Sequence, residues 1–159
     1  MRWSVLDSPI GKLSVAVDDD GLRRLRFGAI ELGPERPRDE LLVAAEEQLK
    51  AYFAGELTEF DLPLSVRGGS QFERAVWDQL KRIPYGEMQT YGDVAKAVGD
   101  PGAARAVGMA CNRNPIAVIV PCHRVVGAGG KMVGFGGGIP LKRHLLELEA
   151  RITLETSWL

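Results

Sequence analysis

Apolar and polar residues alternate in three short segments near the start of the chain, at Arg2–Leu6, Lys12–Val17 and Leu22–Phe27. A period of two is typical of strands that bury one face. The turn-forming sequences Ser8–Gly11 and Asp18–Gly21 separate them. Such short connections join antiparallel neighbours, so the pattern predicts an antiparallel sheet of three strands.

The period then changes to that of a helix. From about Asp39 to Ala54, apolar residues recur every three or four positions, and Gly55 fits a C-terminal stop. Farther along, Ser70 and Glu73 have the spacing of a capping box, in which each side chain satisfies a free backbone amide. This predicts a second helix that ends at about Arg82.

Two shorter helices follow and are joined by a tight connection. The first is predicted at Tyr91–Val98 and ends at Gly99. Asp100 and Pro101 fit the N-cap and the first-turn proline of the second, at about Pro101–Ala110. This pair has the outline of a helix-turn-helix, a common DNA-binding unit.

The remaining pattern completes an α+β chain. Ile116–Val120 predicts a strand, and Pro140–Ala150 predicts the last helix. We therefore expect two domains: an antiparallel sheet with a helix at residues 1–66, then a mostly helical domain with the helix-turn-helix at 67–159.

The composition is typical of a globular protein: of the 159 residues, 45% are hydrophobic and 26% are charged. There is no signal-peptide pattern and no apolar run of membrane-spanning length, so a cytoplasmic location is expected. Residues 1–66 carry 8 basic and 13 acidic residues, whereas residues 67–159 carry 12 and 8. A mildly basic second half suits a polyanionic partner, although ordinary solvated surface explains it equally well.

The two cysteines, Cys111 and Cys122, do not form the paired spacings of a disulfide scaffold. With only His123 and His144 as histidines, a zinc site would need an irregular ligand set. No metal and no cofactor are therefore expected.

The sharpest chemical feature is the segment Pro121–Val125, in which Cys122 is followed by His123. A thiolate is a strong nucleophile, and an adjacent imidazole can act as its base, directly or through a water molecule. Glu149 or Glu147 on the last helix are candidates to orient the ring. A cysteine after an apolar stretch is often only small core filler, and this segment alone slightly favours that reading.

The helix at 101–110 is unusual for a helix that reads DNA bases, because it carries small residues around one arginine, Arg105. Small residues allow a helix backbone to approach a narrow groove, and one arginine can then fill the space of an extruded nucleotide. Alternatively, the helix packs inside the protein and Arg105 reaches solvent. The small residues concerned are Ala103, Ala104, Ala106 and Gly108.

Together these segments resemble the O6-alkylguanine-DNA alkyltransferases, most closely the bacterial type. The resemblance covers most of residues 70–150, and residues 1–66 match the more variable amino-terminal domain less strongly. It implies a ribonuclease H-like α/β roll followed by a winged-helix-like domain. The matching motifs are Ile83–Glu87, Thr90–Gly92, Ala103–Gly108, Asn114–Pro115, Ile119–Val126 and Gly136–Gly138.

The resemblance implies a role for each matching residue. Cys122 would accept an alkyl group from O6-alkylguanine in double-stranded DNA, in a single irreversible turnover. His123 would deprotonate it through a water molecule and would be held by Glu149. Asn114 would brace the turn, and Arg105 would replace the flipped nucleotide from the minor groove.

Four further residues would line the base pocket: Tyr91, Val125, Phe135 and Gly136. Tyr91 would also contact the phosphate on the 3′ side of the target nucleotide and donate a hydrogen bond to the departing guanine. Phe135 departs from the family, which often has tyrosine there, so the stabilisation of the leaving guanine is in question. O4-alkylthymine is a possible second substrate, and a monomer is expected.

Three other functions remain open on sequence grounds. The first is a non-catalytic binder. A sensor of alkyl lesions would resemble this chain but typically has tryptophan where Cys122 stands, and a helix-turn-helix regulator would have a more polar recognition helix and usually a dimerisation element. A cysteine hydrolase would use Cys122 with His144 or His123 and would turn over. A methyltransferase with a diffusible donor is poorly supported, because Gly134–Gly138 does not lead from a strand into a helix.

Overall fold

The computed structural model describes residues 1–33, 38–135 and 137–157. They form two compact units. The first consists of residues 1–67 together with Pro115–Ala117, and the second of residues 68–114 and those from 118 onward. The short segment 115–117 joins the first unit because Leu25 exchanges backbone hydrogen bonds with Pro115 and Ala117.

The first unit contains the predicted antiparallel sheet in the order β1 (Arg2–Ser8), β2 (Gly11–Asp18) and β3 (Gly21–Phe27). The turn between β2 and β3 is closed by Asp18, whose Oδ1 accepts from the amides of Asp20 and Gly21 at 2.8 and 3.1 Å. The turn residues and the alternation of apolar and polar residues therefore place the ends of the strands at the same positions, which makes these strands predictable from sequence.

Helix α1 (Glu40–Phe53) packs on this sheet. It begins after Asp39, whose side chain accepts from the Leu42 amide at 2.9 Å. The buried face of the helix and the inward residues of the strands form one apolar core. Its main members are Leu13, Val15, Val17, Leu22, Leu25, Leu42, Ala45, Leu49 and Tyr52.

One glycine in this unit gives a stability prediction. Gly21 has φ of 152°, and a Cβ there would lie 2.4 Å from the carbonyl oxygen of Pro63. The approach is close because the next amide, that of Leu22, donates to the same oxygen at 2.7 Å. We expect Gly21→Ala to lower the free energy of unfolding by about 2–4 kcal/mol, through backbone strain and the steric clash.

Gly11→Ala is the matched control, since Gly11 has φ of 101° but a Cβ there meets nothing within 4 Å. Gly11→Ala should lower the free energy of unfolding by about 1 kcal/mol, through the backbone strain of a positive φ alone. Urea unfolding midpoints compared at constant m value measure both. Equal losses for the two variants would show that the Pro63 contact does not matter.

The second unit is mostly helical: α2 (Gln71–Leu80), α3 (Tyr91–Ala97), α4 (Ala104–Asn112) and α5 (Ile139–Thr156). Helix α2 begins with the predicted capping box of Ser70 and Glu73. With the sheet of the first unit, this confirms the predicted α+β fold class.

Helix α4 begins later than predicted. Asp100 does not cap it. Instead, the carbonyl of Asp100 accepts from the Ala103 amide at 3.0 Å in a preceding turn, and no side chain caps the helix. The Asp-Pro pair thus forms a turn of its own. Ala103 becomes the N-cap residue and lies outside the first helical turn.

The predicted strand at Ile116–Val120 is also wrong. Ile116 forms only an isolated bridge to Leu25, and residues 117–119 turn, with Val118 at φ of 69°. The apolar run reflects burial of a turn rather than a strand. The second sheet is instead a short parallel pair of β4 (Gln89–Thr90) and β5 (Val125–Val126).

Helix α5 is longer than predicted and continues to Thr156. Its buried face repeats at helical spacing and includes Leu145, Leu146 and Ile152, together with two charged residues, Lys142 and Glu149. In the described part of the chain, no helix combines the length and apolarity needed to cross a membrane.

Candidate active site

Cys122 begins a short 3₁₀ turn, Cys122–Arg124, which leads directly into β5. The residue is buried, with 6% of its surface exposed. Its amide donates to the carbonyl of Val120 at 2.8 Å. The side-chain amide of Asn114 donates to the same carbonyl at 2.7 Å. Two donors on one carbonyl fix the entry to the turn, and with it the position of the thiol.

The electrostatic environment keeps this thiol protonated. Burial raises the pKa of Cys122, against a hydrogen bond from Asn114 and the positive charge of Lys142, which lower it. Because the thiolate is the reactive form, chemistry at Cys122 needs a base that removes the proton.

His123, the next residue, is fully buried and lies with Nε2 2.7 Å from Oε2 of Glu149 on α5. Burial lowers the pKa of His123, although the carboxylate opposes this. A neutral ring next to a carboxylate carries its proton on Nε2. Nδ1 is then a buried acceptor, with no hydrogen-bond partner in the described part of the chain. This is the tautomer that can accept a proton from a thiol.

Glu149 is fully buried, and four donors surround its carboxylate. Oε1 accepts from Nε of Arg124 at 2.8 Å and from the Gly86 amide at 3.2 Å. Oε2 accepts from His123 and from Nη2 of Arg124 at 3.0 Å. Burial would raise the pKa of Glu149, but the hydrogen bonds and charges of His123 and Arg124 hold it far below its usual range. The carboxylate is therefore ionised and fixed. Glu147, the other candidate, is exposed.

Sequence reasoning missed Arg124. It is buried, and besides Glu149 it donates through Nη1 to the carbonyl of Ile83 at 2.7 Å. Its guanidinium carbon also lies 5.6 Å from the ring centroid of Tyr85. The motif Ile83–Glu87 thus supplies one carbonyl and one amide, that of Gly86, to the Arg124–Glu149 pair. The signal was an arginine inside an apolar segment, where a charge needs a buried partner.

Lys142 was missed as well. It is fully buried, and its Nζ donates to the carbonyl of Val125 at 2.5 Å and to that of Val133 at 3.2 Å. The helical spacing that places Leu145, Leu146 and Glu149 on the buried face of α5 also includes Lys142. That periodicity was the available signal.

Tyr91 is the first residue of α3 and is half-buried. Its hydroxyl lies 3.0 Å from the carbonyl oxygen of Val133 and 3.2 Å from that of Gly134. These contacts fix the backbone at Val133 and Gly134 against α3. Burial, followed by the charges of Cys111 and Cys122, raises the pKa of Tyr91 to about 12. The phenol is therefore a hydrogen-bond donor at neutral pH. Contact with a phosphate stays a prediction.

Two of the three remaining residues that are predicted to line a base pocket, Phe135 and Val125, lie near Lys142. Phe135 is half-buried, with its ring centroid 5.9 Å from Nζ of Lys142. Val125 is buried in β5 and pairs with Gln89. Gly136 lies outside the described residues.

Helix α4 presents the predicted small-residue surface only in part. Arg105 and Ala106 are exposed, and in the described residues Arg105 makes no hydrogen bond or ion pair. Ala104, like the cap residue Ala103, is half-buried. Gly108 faces inward, since a Cβ there would lie 3.8 Å from the ring of Tyr91. A role for these residues against DNA stays a prediction.

Cys111, on α4, is a second buried thiol in the same unit. Burial and the nearby charge of Cys122 raise its pKa to about 12, against the charge of Lys142. A thiol with this pKa is a poor nucleophile at neutral pH. The structure therefore gives Cys111 a packing role on the buried face of α4.

Comparisons with known proteins match both parts of the chain. Residues 71–151 match the family model described as the DNA binding domain of 6-O-methylguanine DNA methyltransferase. Residues 1–66 match the model of its ribonuclease-like domain.

Several relatives are similar over nearly the full length. A methylated-DNA–protein-cysteine methyltransferase of Mycolicibacterium paratuberculosis is 51% identical, covering 95% of this chain and 93% of the relative. A protein of the same name from Methanosarcina acetivorans is 48% identical, covering 94% and 98%. The crystal structure of Mycobacterium tuberculosis OGT in complex with DNA superposes with a TM-score of 0.88 at 50% identity, covering 96% and 94%.

Proposed function

The chain belongs to the 6-O-methylguanine DNA methyltransferase family, and on that premise we propose that it repairs DNA by direct transfer of a methyl group to Cys122. The substrate is O6-methylguanine in double-stranded DNA. The observation that carries the assignment is the arrangement of Cys122 next to a neutral His123 that Glu149 holds at 2.7 Å. A non-catalytic lesion sensor has no use for a thiol with its own base.

The reaction is a displacement at the methyl carbon. His123 takes the proton of the Cys122 thiol at Nδ1, through one water molecule. The thiolate then forms a sulfur–carbon bond as the bond between the methyl group and O6 breaks, and guanine leaves. A donor at the base, for which Tyr91 is suited, stabilises the charge that develops on guanine.

The product explains why each molecule acts once. Methylated Cys122 is a thioether, and water does not displace a thiolate from it. Regeneration would need another nucleophile next to the sulfur, and Cys111 is a poor one because its pKa is about 12. We propose a single irreversible turnover without a cofactor, by a monomer.

The mass of the intact protein tests the proposal. The protein is mixed with duplex DNA that contains one O6-methylguanine, with no added methyl donor. The expected result is one methyl group per protein molecule, found on the peptide with Cys122 and not on that with Cys111. An unmodified protein that binds the lesion would identify a sensor instead, and repeated turnover would contradict a stoichiometric acceptor.

Arg105 is proposed to enter the duplex from the minor groove and occupy the space of the flipped nucleotide. It is exposed and has no partner among the described residues, so its side chain is available. We expect Arg105→Ala to slow repair of duplex DNA about tenfold to a hundredfold, because nothing then compensates for lost stacking. Reaction with the free base O6-methylguanine should not change.

The control is Arg26→Ala, which removes an exposed arginine from β3 in the other unit. Rates of methyl transfer to protein, measured with both substrates, separate the two effects. If Arg105→Ala slows the free base as much as the duplex, the arginine supports the fold or the thiol rather than base flipping.

A further inference from the structure

The exposed face of α4 differs from the one that the sequence suggested. Of the four small residues expected on it, only Ala106 is exposed. The exposed residues of the helix are Arg105, Ala106, Met109 and Asn112. Met109 follows Arg105 by one helical turn and Asn112 follows it by two, so these three residues form one stripe along the helix.

Met109 lies at the centre of this face. Each residue of a helix is rotated by about 100° from the one before it, which places Met109 between Arg105 and Ala106 around the helix axis. Met109 is 53% exposed, whereas Val107 on the opposite face is buried. In the helices of the described chain, the only other large apolar residue that is exposed is Leu154, near the end of α5.

The charges around Met109 fit DNA as the occupant of this face. Arg105 lies in the first turn of α4, and Arg113, which follows its last turn, has 66% of its side chain exposed. The ion pair of Arg113 with Glu73 is long, at 3.5 Å. No acidic residue occurs in Ala104–Asn112. Two cations with no acidic residue between them match the phosphates of a nucleic acid, and α4 lies within the DNA-binding domain.

A long side chain at the centre of the face changes how the helix can approach the minor groove. That groove is about 6 Å wide in B-DNA, whereas a helix with its side chains is about 10–12 Å across. Alanine or glycine at the centre would let the backbone come close, but Met109 reaches farther than either. Its side chain must therefore either enter the DNA or hold the helix away from the groove.

The chemistry of methionine favours entry. The side chain is unbranched, flexible and apolar. Proteins that bind the minor groove insert such side chains between two base pairs, which partly unstacks the pairs and opens the groove. One helical turn is about 5.4 Å long, and base pairs are about 3.4 Å apart. If Arg105 fills the space of the flipped nucleotide, Met109 acts within about two base pairs of it.

We propose that Met109 is an apolar wedge that enters the minor groove beside Arg105 and partly unstacks a base step next to the lesion. The inference rests on the proposed function, because it takes a duplex with a flipped nucleotide as the occupant. Unstacking a neighbouring step lowers the work of extruding the damaged nucleotide. Pyrimidine–purine steps such as TA and CA unstack more easily than others. Met109 therefore makes the rate of repair depend on the sequence that flanks the lesion.

Three substitutions of Met109 separate apolar insertion from side-chain size. Met109→Ala removes the wedge, and Met109→Leu keeps an apolar side chain of similar volume. Met109→Gln keeps the length but replaces the apolar end with an amide. Leu154→Ala is the control, because it removes an exposed apolar side chain from another helix of the same unit. Circular dichroism checks that each variant is folded.

The first measurement is the rate of methyl transfer from duplexes that differ only in the base steps within two pairs of the lesion. The wild type, Met109→Leu and Leu154→Ala should repair duplexes with TA or CA steps about tenfold faster than duplexes with stiff A-tract steps. Met109→Ala and Met109→Gln should repair all of them slowly and at nearly equal rates. Reaction with the free base O6-methylguanine should be the same for all five proteins.

Two outcomes of this measurement would overturn the wedge. One is a wild type without preference for flanking steps, or a Met109→Ala variant with the same preference as the wild type. The other is a Met109→Ala variant that reacts more slowly with the free base as well, since Met109 would then support the fold of the site rather than act on DNA.

The second measurement detects unstacking without methyl transfer. Each protein also carries Cys122→Ala and binds, at saturating protein concentration, a duplex in which 2-aminopurine replaces one base within two pairs of the lesion. The fluorescence of 2-aminopurine rises when it unstacks, so at one position it should be higher with Met109 than with Met109→Ala. Equal fluorescence at every position would overturn the wedge. If the wild type methylates no Cys122 while the fluorescence differs, the proposed function fails and the wedge stands.

Discussion

Cys122→Ala should lose methyl transfer completely and should still bind the methylated duplex. In the proposed reaction, this thiol is the only acceptor, and the side chains of Arg105 and Tyr91 bind DNA independently of it. The free energy of unfolding should change by less than about 1 kcal/mol, since the substitution removes only the buried sulfur atom. The variant is therefore expected to hold lesions without repairing them.

Loss of the methyl group from labelled DNA measures the reaction, and a gel-shift titration measures binding. Cys111→Ala is the matched control, because it removes the other buried thiol of the same unit and should keep transfer. Methylation of the Cys122→Ala protein would place the acceptor elsewhere. Loss of both transfer and lesion binding would mean that the substitution had disturbed the pocket itself.

Glu149→Gln should reduce both stability and rate. The amide keeps the shape of the carboxylate but leaves the buried guanidinium of Arg124 without its counter-ion. Breaking a buried ion pair in this way costs about 3–5 kcal/mol. The variant also lacks the charge that fixes the proton of His123 on Nε2, so methyl transfer should slow by about a hundredfold or more.

The pH dependence of stability gives a sharper test. The pKa of Glu149 is lowered in the folded protein, so its contribution is fully present above its ordinary value of about 4.3. That contribution is lost as pH falls through the folded value. The pKa of His123 is also lowered, so the unfolded chain takes up a proton first as pH falls below about 6.5. Both effects destabilise the protein in acid.

Urea unfolding from pH 7 to well below pH 4, where the carboxylate of the unfolded chain takes up its proton, measures how the free energy of unfolding depends on pH. Glu149→Gln should remove the part of the acid slope that Glu149 causes. Glu147→Gln is the control, since Glu147 is on the same helix and exposed. If the two variants lose equal stability and keep equal rates, Glu149 is not the group that orients His123.

Much of this arrangement is predictable from sequence because local patterns determine it. Alternation and turn residues define the sheet, and the capping box of Ser70 and Glu73 begins α2. Cys122 and His123 are adjacent in the chain. The pairing of His123 with Glu149 followed from family resemblance, since two candidates on the last helix were open. The structure distinguishes them, because Glu149 is buried and hydrogen-bonded to His123, whereas Glu147 is exposed.

The residues that were missed depend on contacts between distant segments. Arg124 and Lys142 are charged, and a charge in a sequence normally indicates surface. Their partners include backbone carbonyls, such as those of Ile83 and Val125, and any residue type can supply a carbonyl. The turn at residues 117–119 escaped prediction for a related reason. A buried turn and a buried strand have the same apolar composition, and only the backbone angle of Val118 reveals the difference.

The position of Glu149 in the chain has a consequence for protein synthesis. It follows His123 by 26 residues, and a ribosome adds about 5–20 residues per second. For one to several seconds, a nascent chain therefore contains Cys122 and His123 without the carboxylate that orients the ring. The thiol gains its base only when the last helix has been made and has packed. A chain released early would carry Cys122 and His123 without Glu149, and we expect its thiol to react with a lesion only slowly.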